Sequence, residues 1–214
     1  MQVLYQNRPE VIIDLHSANQ FNQRDGFINS AFLYMEHIPY VTRLWFGEYF
    51  DYDADPDYWM TEVAGIPFGI GGEMLEKGGQ PFRGLVYGMT TRVYGEYDPS
   101  PIWHLFDDFD IANAQMKGYW VDNSPIQTAA GGIRSTIYLH PDKALIAIGS
   151  WSPTDQNVSL DIDWAALNWD PAAYELVQPK VAGLQNFRTL ETTAPVPVSA
   201  NQGCILLLQK KNKE

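Results

Sequence analysis

Short apolar runs that stop at polar residues alternate with stretches of helical spacing along the first hundred positions. Val3 to Asn7 reads as the last turn of a helix, closed by Arg8-Pro9, because proline lacks the N–H a helix needs and restricts its predecessor. Glu10 to His16 (EVIIDLH) is a nearly continuous apolar run, the pattern of a strand buried on both faces of a parallel sheet. Ile28 to Tyr40 has helical spacing, and Arg43 to Glu48 (RLWFGE) reads as a second buried strand ending on a carboxylate. An acidic, proline-bounded loop follows from Asp51 to Pro56, then a short helix from Tyr58 to Ala64. Pro67 to Glu73 (PFGIGGE) reads as a third strand, and Pro81 to Tyr94 as a helix whose Gly84 and Gly88 permit close packing. Strand, loop and helix in alternation predict an α/β fold with a parallel sheet. A domain seldom opens on a central strand, so the expectation is a chain that starts partway through a larger fold.

The style changes near Asp98-Pro99-Ser100-Pro101. Pro101 to Lys117 predicts one more helix, with Ile102, Leu105, Phe106 and Phe109 on one stripe. Beyond Trp120 the pattern is β. Ile133 to Leu139 and Ala144 to Ser150 form a hairpin through His140-Pro141-Asp142-Lys143, a turn with proline at its favoured position. Val158 to Asp163 alternates apolar and polar residues, as a half-buried strand does. Tyr174 to Val177, Phe187 to Leu190 and Cys204 to Gln209 bring the total to about six strands, enough for a small antiparallel sandwich. The boundary is expected between 118 and 126, giving an α/β part over 1–120 and a β-sandwich over 121–214. Lys210 to Glu214 reads as a frayed polar tail.

Composition narrows the function classes. The 214 residues carry 14 Lys plus Arg against 26 Asp plus Glu, a formal net charge of −12. That balance argues against nucleic acid or an anionic membrane surface as partner, since both need clustered positive charge. No apolar run reaches the roughly 18 residues of a membrane-spanning helix. A single cysteine, Cys204, excludes an internal disulfide and a multi-cysteine zinc site. Aromatic residues make up 14%, which suits either a ring-rich core or a cleft where flat rings meet the C–H faces of pyranose sugars.

Three predicted parallel strands end in acids: Asp14, Glu48 and Glu73. In a (β/α) barrel the carboxyl ends of the strands form the active face. Glycoside hydrolysis needs two carboxyl groups there, one to protonate the leaving oxygen and one to act as nucleophile or activate water. The competing reading makes each acid a helix cap or an ion-pair partner. His16 follows Asp14 by two residues, so strand alternation places both on one side; its imidazole suits a sugar hydroxyl. Trp45 and Tyr49 flank Glu48 as candidate stacking platforms, with Asp51 as a hydroxyl ligand. Asp51, Asp53, Asp55 and Asp57 alternate in a way that suggests calcium. The calcium loop's sixth and twelfth positions, however, fall on Pro56 and Glu62, and the proline contradicts the required turn. The run therefore reads as a solvated loop, with calcium the lesser alternative and no other cofactor or metal expected. Nucleotide-binding glycine loops and the G-x-S-x-G elbow are absent.

Asp14-Leu15-His16-Ser17, Tyr34-Met35-Glu36-His37, Leu44 to Phe50 (LWFGEYF) and Gly65-Ile66-Pro67-Phe68-Gly69 resemble the later barrel strands of large bacterial proteins grouped with glycoside hydrolase family 123. Tyr87-Gly88-Met89-Thr90, Pro101-Ile102-Trp103, Gly118-Tyr119-Trp120, Ile148 to Trp151 and Asp161 to Trp164 extend the resemblance over most of the chain. It implies the last part of a (β/α)8 (TIM) barrel followed by a C-terminal antiparallel β-sandwich. It also implies a carbohydrate substrate, a missing N-terminal part of the same protein, and a periplasmic or secreted parent. The chain alone is expected to be inactive. The better-known members are β-N-acetylgalactosaminidases that use an adjacent Asp-Glu pair and substrate assistance; this sequence has no such pair, and that mechanism is not carried over. A non-catalytic carbohydrate-binding or structural module is the alternative.

Overall fold

Four short strands lie side by side in the first half of the chain: β1 (Asp14–Ser17), β2 (Arg43–Phe46), β3 (Gly71–Leu75) and β4 (Met89–Arg92). The computed structural model describes residues 2–17, 40–46, 55–57, 71–75, 81–92 and 98–211. All three pairings are parallel and the order is β1-β2-β3-β4. Chain order matching spatial order, with long crossovers between parallel neighbours, is the winding of an α/β barrel wall. By contact the chain divides into two compact units, one of Met1–Gly84 with Gly88–Tyr97 and one of Leu85–Tyr87 with Asp98–Glu214.

In the first unit the helix Gln2–Asn7 stands where the helical turn was expected. The first strand does not. Pairing begins around Ile13, whose carbonyl accepts from the N–H groups of Thr42 and Arg43, and β1 runs from Asp14 onward. The apolar run ahead of it is only partly covered, with Ile12 66% exposed. Asp14 thus opens its strand instead of closing it. The expected helix from Pro81 to Tyr94 is also corrected. It ends at Val86, Gly88 turns the chain at a φ of 76°, and Met89 to Arg92 add a fourth parallel strand.

The second unit opens with the helix Ser100–Phe109, whose buried Ile102, Phe106 and Phe109 form one stripe. The helix was expected to run to Lys117. It stops because Asp110 adopts a left-handed φ of 63°, its N–H returning to the carbonyls of Phe106 and Asp107. His140 Nε2 donates to the carbonyls of Phe109 and Asp110 at 3.1 and 3.0 Å, satisfying the helix's terminal acceptors. Residues beyond the stop form β5 (Gln115–Lys117), which pairs antiparallel with Ile137, Tyr138 and Leu139 in the sandwich sheet. The division between units therefore falls near Tyr97–Asp98, about twenty residues before the expected 118–126.

The sandwich has β6 (Ile126–Thr128), β7 (Ile133–Leu139), β8 (Ala144–Ser150), β9 (Gln156–Val158) and β10 (Leu160–Ile162). It continues with β11 (Tyr174–Gln178), β12 (Arg188–Leu190), β13 (Val196–Val198) and β14 (Gly203–Lys210). Six strands form one sheet in the order β12-β11-β14-β8-β7-β5, while β10-β6 and β13-β9 form two small antiparallel sheets. One face of the large sheet supplies Ile137, Ile146, Ile148, Leu176, Leu206 and Leu208 to a core that Val158, Val196 and Val198 close from the small sheets. The other face is covered too. Tyr138 Oη donates to the Leu85 carbonyl at 2.8 Å, and Thr136 Oγ1 to that of Val86. A Cβ at Gly149 would come within 3.1 Å of Val86 Cγ2, a tight contact that glycine avoids. With both faces covered, β8 is buried at every position, which is why its sequence is a continuous apolar run.

Candidate active site

Register decides which predicted residues come together. His16 on β1 pairs with Trp45 on β2, Trp45 with Glu73 on β3, and Glu73 with Thr90 on β4. These four residues form one row across the sheet, followed by the row of Ser17, Phe46, Met74 and Thr91, with which β1 and β2 end, while β3 and β4 pair once more at Leu75 and Arg92. Neighbouring strands lie about 4.8 Å apart, so the backbones of His16 and Glu73 are separated by about 10 Å. Glu73 is the third residue of a five-residue strand, not its last. Thr90 escaped the sequence reading because its segment was taken as helix. The signal was Gly88 followed by the β-favouring Thr90-Thr91. Glu48, Tyr49 and Asp51 follow β2 directly and lie outside the described residues, as do Asp53 and the loop's start.

Asp14 has a different place. It pairs in register with Arg43 at the amino ends of β1 and β2, two residues below the His16–Trp45 row. The Arg43 guanidinium meets the carboxylate side-on: Nε donates to Oδ1 at 2.9 Å and Nη2 to Oδ2. This bidentate geometry uses both carboxylate oxygens. The Arg43 and Asp14 side chains are 36% and 28% exposed, so solvent screens the pair. Asp14 thus lies at the amino end of β1, away from the carboxyl ends at which a barrel's active face forms. Asp14→Asn is expected to cost less than about 1 kcal/mol of stability and to lower turnover of an active parent less than about tenfold, measured by denaturation and steady-state kinetics. A loss on the scale of a missing acid catalyst would return Asp14 to the catalytic set.

Among the described residues no three His, Cys, Asp or Glu side chains gather as a metal would require. Asp55 Oδ1 accepts from the Asp57 N–H at 2.8 Å, a local turn contact of the kind an aspartate forms in a solvated loop. Cys204 is buried, and burial pushes its thiol up to about 12, so it is not a nucleophile. Among the described residues no helix is long and apolar enough to cross a membrane.

Comparison with known proteins matches both the parallel barrel wall and the antiparallel β domain that follows it in the chain. Residues 1–94 match the family model of the glycoside hydrolase 123 TIM-barrel domain, and residues 98–209 that of the glycoside hydrolase 123 C-terminal domain. The chain belongs to glycoside hydrolase family 123. Among solved structures it is similar to a GH30 endoxylanase from Clostridium papyrosolvens, at 12% identity and a TM-score of 0.44. It is also similar to a noncanonic maltogenic α-amylase from Thermotoga neapolitana, at 9% identity and a TM-score of 0.49. Each likeness covers 96% of this chain but 57% of the other. No curated protein matches the chain.

Proposed function

We propose that the protein to which this chain belongs hydrolyses glycosidic bonds, with Glu48 and Glu73 as its reacting carboxylates at the carboxyl edge of the barrel wall. The observation that carries this reading is the register row: Glu73 stands level with His16 and Trp45, two residues before the carboxyl end of its strand. In this reading one acid protonates the glycosidic oxygen and the other attacks the anomeric carbon or activates water. Trp45 and Tyr49 stack on pyranose faces, while His16 and Asp51 bond sugar hydroxyls. Asp14, engaged by Arg43, is left with a bracing role. Eight strands close a TIM barrel, so the working site includes strands beyond the four described ones. No cofactor is invoked, and the parent acts in the periplasm or outside the cell.

The second reading is a module that binds carbohydrate without cleaving it. It gains support from the ion-paired state of Asp14, one of the candidate acids. Incubating the parent protein with a panel of plant, bacterial and animal polysaccharides separates the two. Release of new reducing ends is the expected outcome. Saturable binding to a polysaccharide with no release, at protein concentrations well above those of ordinary glycosidase assays, replaces hydrolysis with the binding module.

A further inference from the structure

At one end of the sandwich, segments from β9, β12, β13 and the start of β14 enclose a groove of about 480 Å³, within the range of small-ligand sites. Its lining is polar. Asp155, Asn157, Asn186 and Arg188 are among the lining residues. The scaffold beneath is pinned: Gln185 Nε2 donates to the Pro179 and Ile205 carbonyls at 2.7 and 3.0 Å, and its Oε1 accepts from the Ile205 N–H at 2.9 Å. Gln178 Nε2 donates to the Asn186 carbonyl at 2.7 Å, which fixes the backbone that carries the Asn186 amide. Asp155 spends one oxygen on the Ala200 N–H at 2.8 Å. Among the described residues no hydrogen bond or ion pair engages the Asn157 and Asn186 amides or the Arg188 guanidinium.

We propose that this groove is a second carbohydrate-binding site, taking a neutral oligosaccharide. Amides that donate and accept at one point match the hydroxyls of a sugar, each of which also does both. One carboxylate and one guanidinium balance each other, so the groove selects for neither anion nor cation, and the net charge of −12 disfavours acidic glycans. Neither the phosphate-reading clusters of arginine nor an unbroken apolar lining is present, which sets aside phosphorylated and lipid ligands. The inference rests on the carbohydrate reading above but concerns a different unit of the chain.

The test is calorimetric titration of the 214-residue chain with cellohexaose, xylohexaose, maltohexaose and chitohexaose. At least one should bind saturably, and Asn157→Ala with Arg188→Ala should weaken it about tenfold or more, as loss of ligand hydrogen bonds does. Both side chains are exposed, and thermal melts confirm that the variant folds. Deuterium exchange gives an independent footprint, with slowing expected over 155–157 and 184–188. Binding by none of the four sugars overturns the groove. So does binding that survives the double substitution but is lost on Trp45→Ala, which assigns it to the barrel wall. Failure of the parent to release reducing ends would instead overturn the hydrolase reading and leave the groove standing.

Discussion

Replacing Glu73 by glutamine in an active parent lowers kcat/KM by a factor on the order of 10²–10⁴. The substitution preserves side-chain length and hydrogen-bonding capacity and removes the carboxylate's charge, and with it the ability to transfer a proton or to attack the anomeric carbon at catalytic pH. Its effect therefore separates the chemical step from binding. Glu48→Gln should fall in the same range, since glycoside hydrolysis requires both carboxyl groups and neither replaces the other. A loss confined to kcat identifies a group that acts in the transition state, whereas a rise in KM alone marks a hydroxyl ligand. Trp45→Phe is the internal comparison. It sits next to Glu73 in the register row, keeps an aromatic face, and should change KM more than kcat. Unchanged turnover in Glu73→Gln would make Glu73 a structural or ligand-holding acid and remove the centre of the proposed site.

How much of this was legible in the sequence depends on the physical signal each element left. Strands β7 and β8 and the turn between them read directly, because a long apolar run and a well-placed proline have few other solutions. Val158 to Asp163 alternates correctly yet is two strands. The chain passes from one small sheet to another at Ser159, β9 pairing with β13 and β10 with β6. Alternation reports which face is buried and says nothing of which partner lies alongside. The helix from Ser100 stops at an aspartate in the left-handed region, where glycine is the usual sign. Without that sign the polar-apolar pattern ran on into β5.

The same limit explains the acids. Hydropathy marks where a chain is apolar, and Val11 to Ile13 are apolar before pairing begins. The strand was therefore placed too early, and Asp14 moved from the end of β1 to its start. Register, which no single sequence displays, then redistributes the candidates. His16, Trp45 and Glu73 gather in one row, and Asp14 finds Arg43 instead. Arg43 was visible only as the first residue of an apolar run. A basic residue opening one strand and an acid near the start of its neighbour is a pairing signal that spacing along one chain cannot register, because the two are separated by a crossover.

Ile146→Ala in β8 is expected to cost about 2–5 kcal/mol, the range for emptying a buried aliphatic position. Ile146 is fully buried and paired with Ile137 on one side and Leu206 on the other, so its neighbours are fixed by two ladders of hydrogen bonds and collapse only partly into the space. Cys204 offers a readout in the same unit. It is buried, and desolvation pushes its thiol from 9.0 up to about 12, so a thiol reagent at neutral pH meets neither an accessible sulfur nor a thiolate. Labelling must pass through an open state, and when opening and closing outpace the reagent its rate follows the open population. A loss of about 3 kcal/mol should thus speed labelling roughly 10²-fold, since each factor of ten corresponds to about 1.4 kcal/mol. Ile146 lies two residues from Ile148, the register partner of Cys204, and a purely local breach would speed labelling without moving the denaturation midpoint. Equal changes in both measurements mean that the sandwich opens as one cooperative unit. Labelling of the unsubstituted chain at the rate of a free thiol would mean instead that the core around Cys204 is not closed.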